Sequence, residues 1–175
     1  MKPLTGSAPS QCQRKGLHIG LGRDLHRLVH GRPFILGGVT LPCDFGEDGH
    51  SDGDVLTHAI TDALLGAAST DIGELFPNTD PKWKGAPSIE MLKKAWGLVS
   101  AEGWSIINID CVVSCEKPAV LPFRNQIRDS LAGALCINIE QVFLKGKTGE
   151  GIGIIGEGRA VEALAVCLLE QKSEK

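Results

Sequence analysis

Asp24 and His26 stand two residues apart. In an extended chain, residues at that spacing point to one side, so both can reach one ion. His58 falls in an apolar run with helical spacing, one turn from both Asp54 and Asp62. Two imidazoles and a carboxylate make a three-ligand N/O set with a free fourth position, the pattern of a catalytic rather than a structural zinc. Asp62, four residues after His58, is placed to orient the ring nitrogen that a metal leaves free. The competing reading is that Asp-x-His recurs by chance and that His58 is a satisfied core histidine.

Three further clusters carry chemistry. His50-Ser51-Asp52-Gly53-Asp54 sets a proton carrier, a hydroxyl and two carboxylates before a helix N-terminus, a place that attracts phosphate. The alternative is a polar loop ending in a helix cap. Asp71-Ile72-Gly73 and Phe76-Pro77-Asn78-Thr79-Asp80 offer carboxylates to ligand hydroxyls, although the same residues serve turns. Lys145-Gly146-Lys147-Thr148-Gly149-Glu150-Gly151 resembles a Walker A loop but lacks its first glycine, because that position is Gln141. Its exposed N–H groups, Lys147 and Thr148 still suit phosphate, and Glu150 suits a hard cation such as Mg²⁺.

These residues need elements to hold them. Leu17–Gly22 and Phe34–Leu41 read as strands around a turn at Gly31-Arg32-Pro33. Gly37-Gly38 signals a bulge or a close backbone approach, and 44–52 reads as a polar loop. Val55, Ala59, Ile60, Ala63, Leu64 and Ala67 repeat with helical spacing, and Asp54 can cap that helix. The segment 73–87 reads as loop because of Pro77, Pro81, Gly85 and Pro87. Ser88 is expected to cap a second helix that ends at Gly103. Trp104–Cys115 alternates as a strand, Pro122 opens a third helix, and Val142–Lys145 is strand again. Arg159–Glu170 fits both a helix and a strand template. Together they predict an α/β protein of the two-layer α+β kind, a sheet covered by about three helices.

A chain of 175 residues suits one domain, here 17–175, preceded by a flexible tail at 1–16. The net charge of -3 argues against a nucleic-acid binder, which usually carries a basic surplus. No apolar run reaches bilayer length, and the first residues lack the apolar core of a secretory signal. The cysteines, Cys12, Cys43, Cys111, Cys115, Cys136 and Cys167, are scattered and form no CxxC pair. They read as small core residues in a reducing cytoplasm.

Taken in order, the motifs are far more specific than any one alone. Gly-x-Gly-x-Asp-x-His, Ile-Leu-Gly-Gly-Val, His-Ser-Asp-Gly-Asp-Val-Leu-x-His-Ala-Ile-x-Asp-Ala-Leu-Leu-Gly-Ala-Ala, Asp-Ile-Gly-x-x-Phe-Pro-x-Thr-Asp-Pro and Lys-Gly-Ala follow one another. From about His18 onward the chain resembles the 2-C-methyl-D-erythritol 2,4-cyclodiphosphate synthase family of the non-mevalonate isoprenoid pathway.

That resemblance implies a phosphorus-oxygen lyase. It closes the cyclic diphosphate of 4-diphosphocytidyl-2-C-methyl-D-erythritol 2-phosphate and releases CMP. It implies zinc on Asp24, His26 and His58, with Asp62 behind them, and Mg²⁺ or Mn²⁺ on Glu150. His50 and Thr148 would stabilise the transition state beside Ser51. Asp71, Ile72, Gly73, Phe76 and Asp80 would surround the erythritol. Cys115, Pro118, Val120 and Leu121 would form the cytidine pocket, with Lys147 near the diphosphate. The last element becomes a strand, in a mixed four-stranded sheet. Three copies would form a homotrimer around packed sheets, with sites between subunits. A bacterial-type cytoplasmic protein is implied, a plastid origin being the alternative. Neither nucleic acid nor membrane is an expected partner. The chain departs from the family pattern at Ala119, where a Lys is usual, at Lys147-Thr148-Gly149-Glu150 in place of Thr-Thr-Thr-Glu, and at Glu157-Gly158-Arg159, where the charge order is reversed.

Overall fold

The computed structural model describes residues 16–77 and 79–171; the tail expected at 1–16 lies outside this range but for Gly16. The first strand is β1 (Leu17–His30), longer than its apolar start suggested. It continues through Asp24 and His26, which pair with Ala163 and Val161 of the last strand, and on to its far end, where β4 (Phe45–Asp48) pairs, Arg27 facing Asp48 and His30 facing Phe45. The segment 44–52 was expected to be loop throughout. Four residues with two acids and a glycine carry no alternation, and it is the partner that makes them a strand.

Between them lies a small ribbon of β2 (Phe34–Leu36) and β3 (Val39–Leu41). Gly37 and Gly38 form its turn rather than a bulge, with φ of 58° and 75°. Two consecutive residues in that region are the mark of a tight hairpin, and glycine takes it without steric cost. Both turn N–H groups donate to the buried carboxylate of Asp54, at 3.0 and 2.7 Å. Asp54 also accepts from the N–H and hydroxyl of Thr57, so it caps α1 (Val55–Ala67) as expected. One carboxylate thus ties a hairpin to a helix start.

The remaining elements are α2 (Ile72–Leu75), α3 (Ser88–Ala101), β5 (Trp104–Ser114), α4 (Arg124–Leu135), β6 (Val142–Lys147), α5 (Gly153–Gly156) and β7 (Ala160–Gln171). The sheet order is β4-β1-β7-β5-β6, antiparallel except for β5 with β6. It therefore has five strands rather than four, the fifth being the short β4. The ambiguous last element is a strand because it fills the centre of the sheet, between β1 and β5. Two single-turn helices join the three long ones. α2 lies in the segment expected to be loop, where Asp71 accepts from the N–H of Glu74 and starts a turn. Ser88 is the first residue of α3 and not its cap; Pro87 holds that place without a side-chain bond.

The three long helices cover one sheet face. Leu56, Ile60 and Leu64 of α1 are fully buried there, each contributing roughly 1.5–3 kcal/mol. On β1, Gly20, Gly22, Asp24 and His26 share that face, while Leu17, Ile19, Leu21 and Leu25 alternate onto the other. A Cβ at Gly20 would stand 1.8 Å from the carbonyl oxygen of Ala63, and one at Gly22 1.9 Å from that of Ala59. The helix backbone rests directly on the strand backbone. The opposite face is open: Ile19 is 73% exposed, and Leu17, Leu21 and Val166 stand exposed near it. No helix among the described residues is long and apolar enough to cross a membrane.

Candidate active site

The close contact of α1 with β1 brings His58 over the extended pair Asp24 and His26. His26 Nε2 lies 3.0 Å and His58 Nδ1 2.9 Å from the same oxygen, Asp24 Oδ2. One ligand atom from each residue falls within 4.8 Å of the others, a spacing that admits a single cation. The outer ring nitrogens are engaged elsewhere. His26 Nδ1 donates to the Gly53 carbonyl at 2.6 Å and meets Glu47 Oε2 at 3.3 Å. His58 Nε2 lies 2.9 Å from both the Ser51 and Ser88 hydroxyls. Two imidazoles with their inner lone pairs turned toward one carboxylate fit a zinc-like ion.

The electrostatics agree. Burial would raise the Asp24 carboxyl, but its bonds to His26 and His58 overcome this and hold it well below the usual range. Burial alone would lower the His26 imidazole; Asp24 and Glu47 outweigh it and lift it to about 10. A cation binding here takes the place of that proton. Glu47 is fully buried, and burial pushes its carboxyl up to about 8. Glu47 Oε2 accepts from the Val55 N–H at 2.8 Å, while Oε1 has no partner among the described residues.

The triad lies in the wall of a cleft of about 610 Å³. His50, Ser51, Asp62, Ile72, Gly73 and Phe76 line it as well, so half of the expected residues come together here. Arg23, Trp83 and Met91 join them without a sequence signal of their own. Asp71 and Asp80 do not line the cleft. They cap short helices beside it, accepting from Glu74 and Lys82 N–H groups at 3.0 Å, which is the turn chemistry weighed against ligand binding. The expected contact of Asp62 with His58 is absent among the described residues. The near face of His58 is taken by Asp24 and the far face by two serines, leaving Asp62 to the cleft wall, where burial raises its carboxyl.

The other expected residues form a second cluster at the C-terminal ends of the parallel pair β5 and β6. Cys115 N–H donates to the Lys147 carbonyl at 3.0 Å, and Cys115 Sγ faces the Pro118 carbonyl at 3.4 Å. The Gly149 N–H donates to Glu116 Oε2 at 3.1 Å. Val120 packs where a side chain at Gly146 would stand, and Leu121, Lys147, Thr148 and Glu150 are exposed. Glu150 has φ of 51°, a left-handed conformation that costs a non-glycine residue about 1 kcal/mol. Burial pushes the Cys115 thiol up to about 12, so it stays neutral and is no nucleophile. In the sheet, Lys147 faces Ser114, Ser114 faces Glu162, and Glu162 faces Leu25. Three strand spacings make roughly 14 Å between Lys147 and the strand of the triad.

Glu47, Asp52 and Ser88 complete the first cluster, and sequence reasoning gave Glu47 no role and Ser88 the wrong one. Only the burial of Glu47 marks it, and burial of an acid inside Phe45-Gly46-Glu47-Asp48 leaves no pattern to read.

Comparison with known proteins agrees with this geometry. The YgbB family matches residues 17–170. A 2-C-methyl-D-erythritol 2,4-cyclodiphosphate synthase of Treponema denticola is 60% identical over 87% of this chain and 96% of its own length. One from Solibacter usitatus is 49% identical over 89% and 98%. Among solved structures, a synthase of that name in a CDP-bound form superposes with a TM-score of 0.80 at 41% identity, covering 87% of this chain and 99% of the other. The bifunctional IspDF of Campylobacter jejuni gives 0.87 at 38% identity, where the match covers 90% of this chain but 43% of that longer protein. With residues 17–170 matched by the family model and 60% identity to one of its synthases, the chain belongs to the YgbB family, that of the 2-C-methyl-D-erythritol 2,4-cyclodiphosphate synthases.

Proposed function

We propose that this chain acts as a 2-C-methyl-D-erythritol 2,4-cyclodiphosphate synthase, a cyclising phosphorus-oxygen lyase. The observation that carries the reading is the convergence of Asp24, His26 and His58 on one point in the cleft wall. Those three would hold zinc, and Glu150 Mg²⁺ or Mn²⁺; bound there, the cations supply charge neutralisation for a diphosphate.

The chain's own residues do the rest. Ile72, Gly73 and Phe76 pack the erythritol carbons at the cleft edge, with Asp71 and Asp80 beside its hydroxyls. His50 and Ser51 reach into the cleft from one side, and Thr148 supplies a hydroxyl from the other cluster. The backbone of 115–121 cradles the cytidine, with Cys115, Pro118, Val120 and Leu121 as its walls. An oxygen of the 2-phosphate forms a bond to the β-phosphorus. The bond from that phosphorus to the bridging oxygen breaks, and CMP leaves with the electron pair. Both ends belong to one substrate, so the attack is unimolecular and gains from proximity. Phosphoryl transfer asks little more than position and charge balance.

One chain holds its two clusters roughly 14 Å apart across the sheet. A homotrimer that seats cluster one of one copy against cluster two of its neighbour completes the site. The open apolar face of β1, β5 and β7 supports such an assembly around packed sheets. The buried thiols of Cys111 and Cys167 suit a reducing cytoplasm.

Phosphorus NMR tests the reading. Purified protein with the cytidyl diphosphate substrate, Zn²⁺ and Mg²⁺ is expected to yield CMP and two coupled cyclic-diphosphate resonances. A linear phosphorylated product would make it a hydrolase, and unchanged substrate would overturn the reading.

A further inference from the structure

We propose that Asp52 and Ser88 are positioning residues that fix the His58 tautomer, so that Nδ1 offers its lone pair to the cation. The inference rests on the metal reading above and deepens it. Asp52 acts as an acceptor throughout. Its Oδ2 takes the Ser88 backbone N–H at 3.1 Å, and its Oδ1 takes the Ser88 hydroxyl at 2.5 Å and the Asp54 N–H at 3.3 Å. The Ser88 hydrogen is therefore committed to Asp52, and Ser88 Oγ has only lone pairs left. It turns them to His58 Nε2 at 2.9 Å and to the Ser51 hydroxyl at 3.1 Å. A hydroxyl that can only accept demands a proton on Nε2, and a neutral imidazole with its proton there has Nδ1 free. Nδ1 is the atom that faces Asp24.

The same arrangement releases Ser51. Its oxygen accepts from the Gly53 N–H at 3.3 Å and stands near His58 Nε2. With Nε2 protonated, Ser51 has no call to donate to the ring. Its hydrogen goes to Ser88 or into the cleft that Ser51 lines. The fold holds the relay through backbone bonds: Asp52 N–H to the Ala86 carbonyl at 3.1 Å, and Gly85 N–H to the His50 carbonyl at 2.8 Å. The fully buried Ser88 is thus freed from capping α3 in order to serve His58.

Asp52→Asn tests it. The Ser88 N–H cannot reverse, so the amide oxygen must face it, and the NH₂ then faces Ser88 Oγ. The serine hydrogen turns toward His58 Nε2, and the ring is pushed to the wrong tautomer, as Asn for Asp does behind other functional histidines. Zinc affinity of the full chain is read by competition with a chromophoric chelator, and the His58 ring nitrogens by ¹⁵N NMR of the zinc-loaded protein. The expected result is about 10- to 100-fold weaker zinc binding, with the Nε2-protonated signature of the wild type lost or exchanging. Ser88→Ala, which leaves Ser51 as sole acceptor, is expected to weaken zinc less than Asp52→Asn. Wild-type affinity and unchanged ¹⁵N shifts in a folded Asp52→Asn protein overturn the relay. A wild-type chain that binds no zinc overturns the metal reading and the relay with it.

Discussion

The two clusters are built by opposite means. Around Asp24, His26 and His58 nearly every polar atom has a fixed partner, most of them buried, and a helix is pressed onto a strand to set the distances. Around Lys147, Thr148 and Glu150 the side chains are exposed, and backbone contacts together with the Glu116 carboxylate hold the loop. A cation site needs ligands held before the ion arrives, because two imidazoles and a carboxylate must agree in orientation and tautomer. The phosphate and cytidine pocket proposed for the second cluster would need only a backbone path. The first cluster is closed within one chain; the second leaves Lys147, Thr148 and Glu150 exposed.

The glycines give the sharpest way to break that contrast. Gly22→Ala must displace the backbone of α1, since its Cβ would stand 1.9 Å from the Ala59 carbonyl oxygen. The expected loss in urea denaturation is about 3 kcal/mol, the upper end for overpacking, and the zinc site should fail with it. Gly146→Ala meets only the Val120 side chain, at 3.0 Å. It should cost under about 1 kcal/mol, since that side chain can shift. Equal losses would mean that both regions are set by backbone contact.

The largest effect on turnover belongs to His58→Ala. It should abolish zinc binding and lower CMP release by about a thousandfold, corresponding to about 4 kcal/mol of lost charge stabilisation. Glu150→Gln should also suppress turnover, yet leave zinc affinity unchanged. Co-purified assemblies mixed from these two inactive variants separate a site within a chain from one between chains. If the clusters meet across subunits, random mixing restores about a quarter of the sites. If they work within one chain, activity stays at the level of the parents.

The smallest effect on turnover concerns Lys147, an exposed charge that would stand in for the Lys that the family pattern has at Ala119. Lys147→Ala should raise KM severalfold, about 1 kcal/mol for an exposed charge near a phosphate, with kcat little changed. Unchanged steady-state kinetics would leave Ala119 uncompensated.

Much of this architecture was legible in the residues. Helical spacing in 55–67 and alternation in 104–114 needed no partner to be read. Arg159–Glu170 did: its small residues satisfy two periods, and only the neighbours on either side decide between them. The triad could be listed from Asp-x-His and a helical His, but its convergence depends on Gly20 and Gly22, whose task is to be absent as side chains. Ser88 and Asp62 show the limit most clearly. Sequence distance favoured Asp62 as the partner of His58 and the cap of α3 as the role of Ser88. Space gave His58 to Ser88, from 30 residues away, because the segment before α3 folds back over 50–53.

Strand β1 writes two messages in one line of text, on its even and its odd letters. Asp24 and His26 belong to the even reading, with Gly20 and Gly22. Leu17, Ile19, Leu21 and Leu25 belong to the odd one. A frame slip of one residue would exchange the two, sending leucines against α1 and metal ligands to the open face. The candidate metal ligands and the open apolar face are therefore inherited together here: a one-residue insertion in this strand would disturb both.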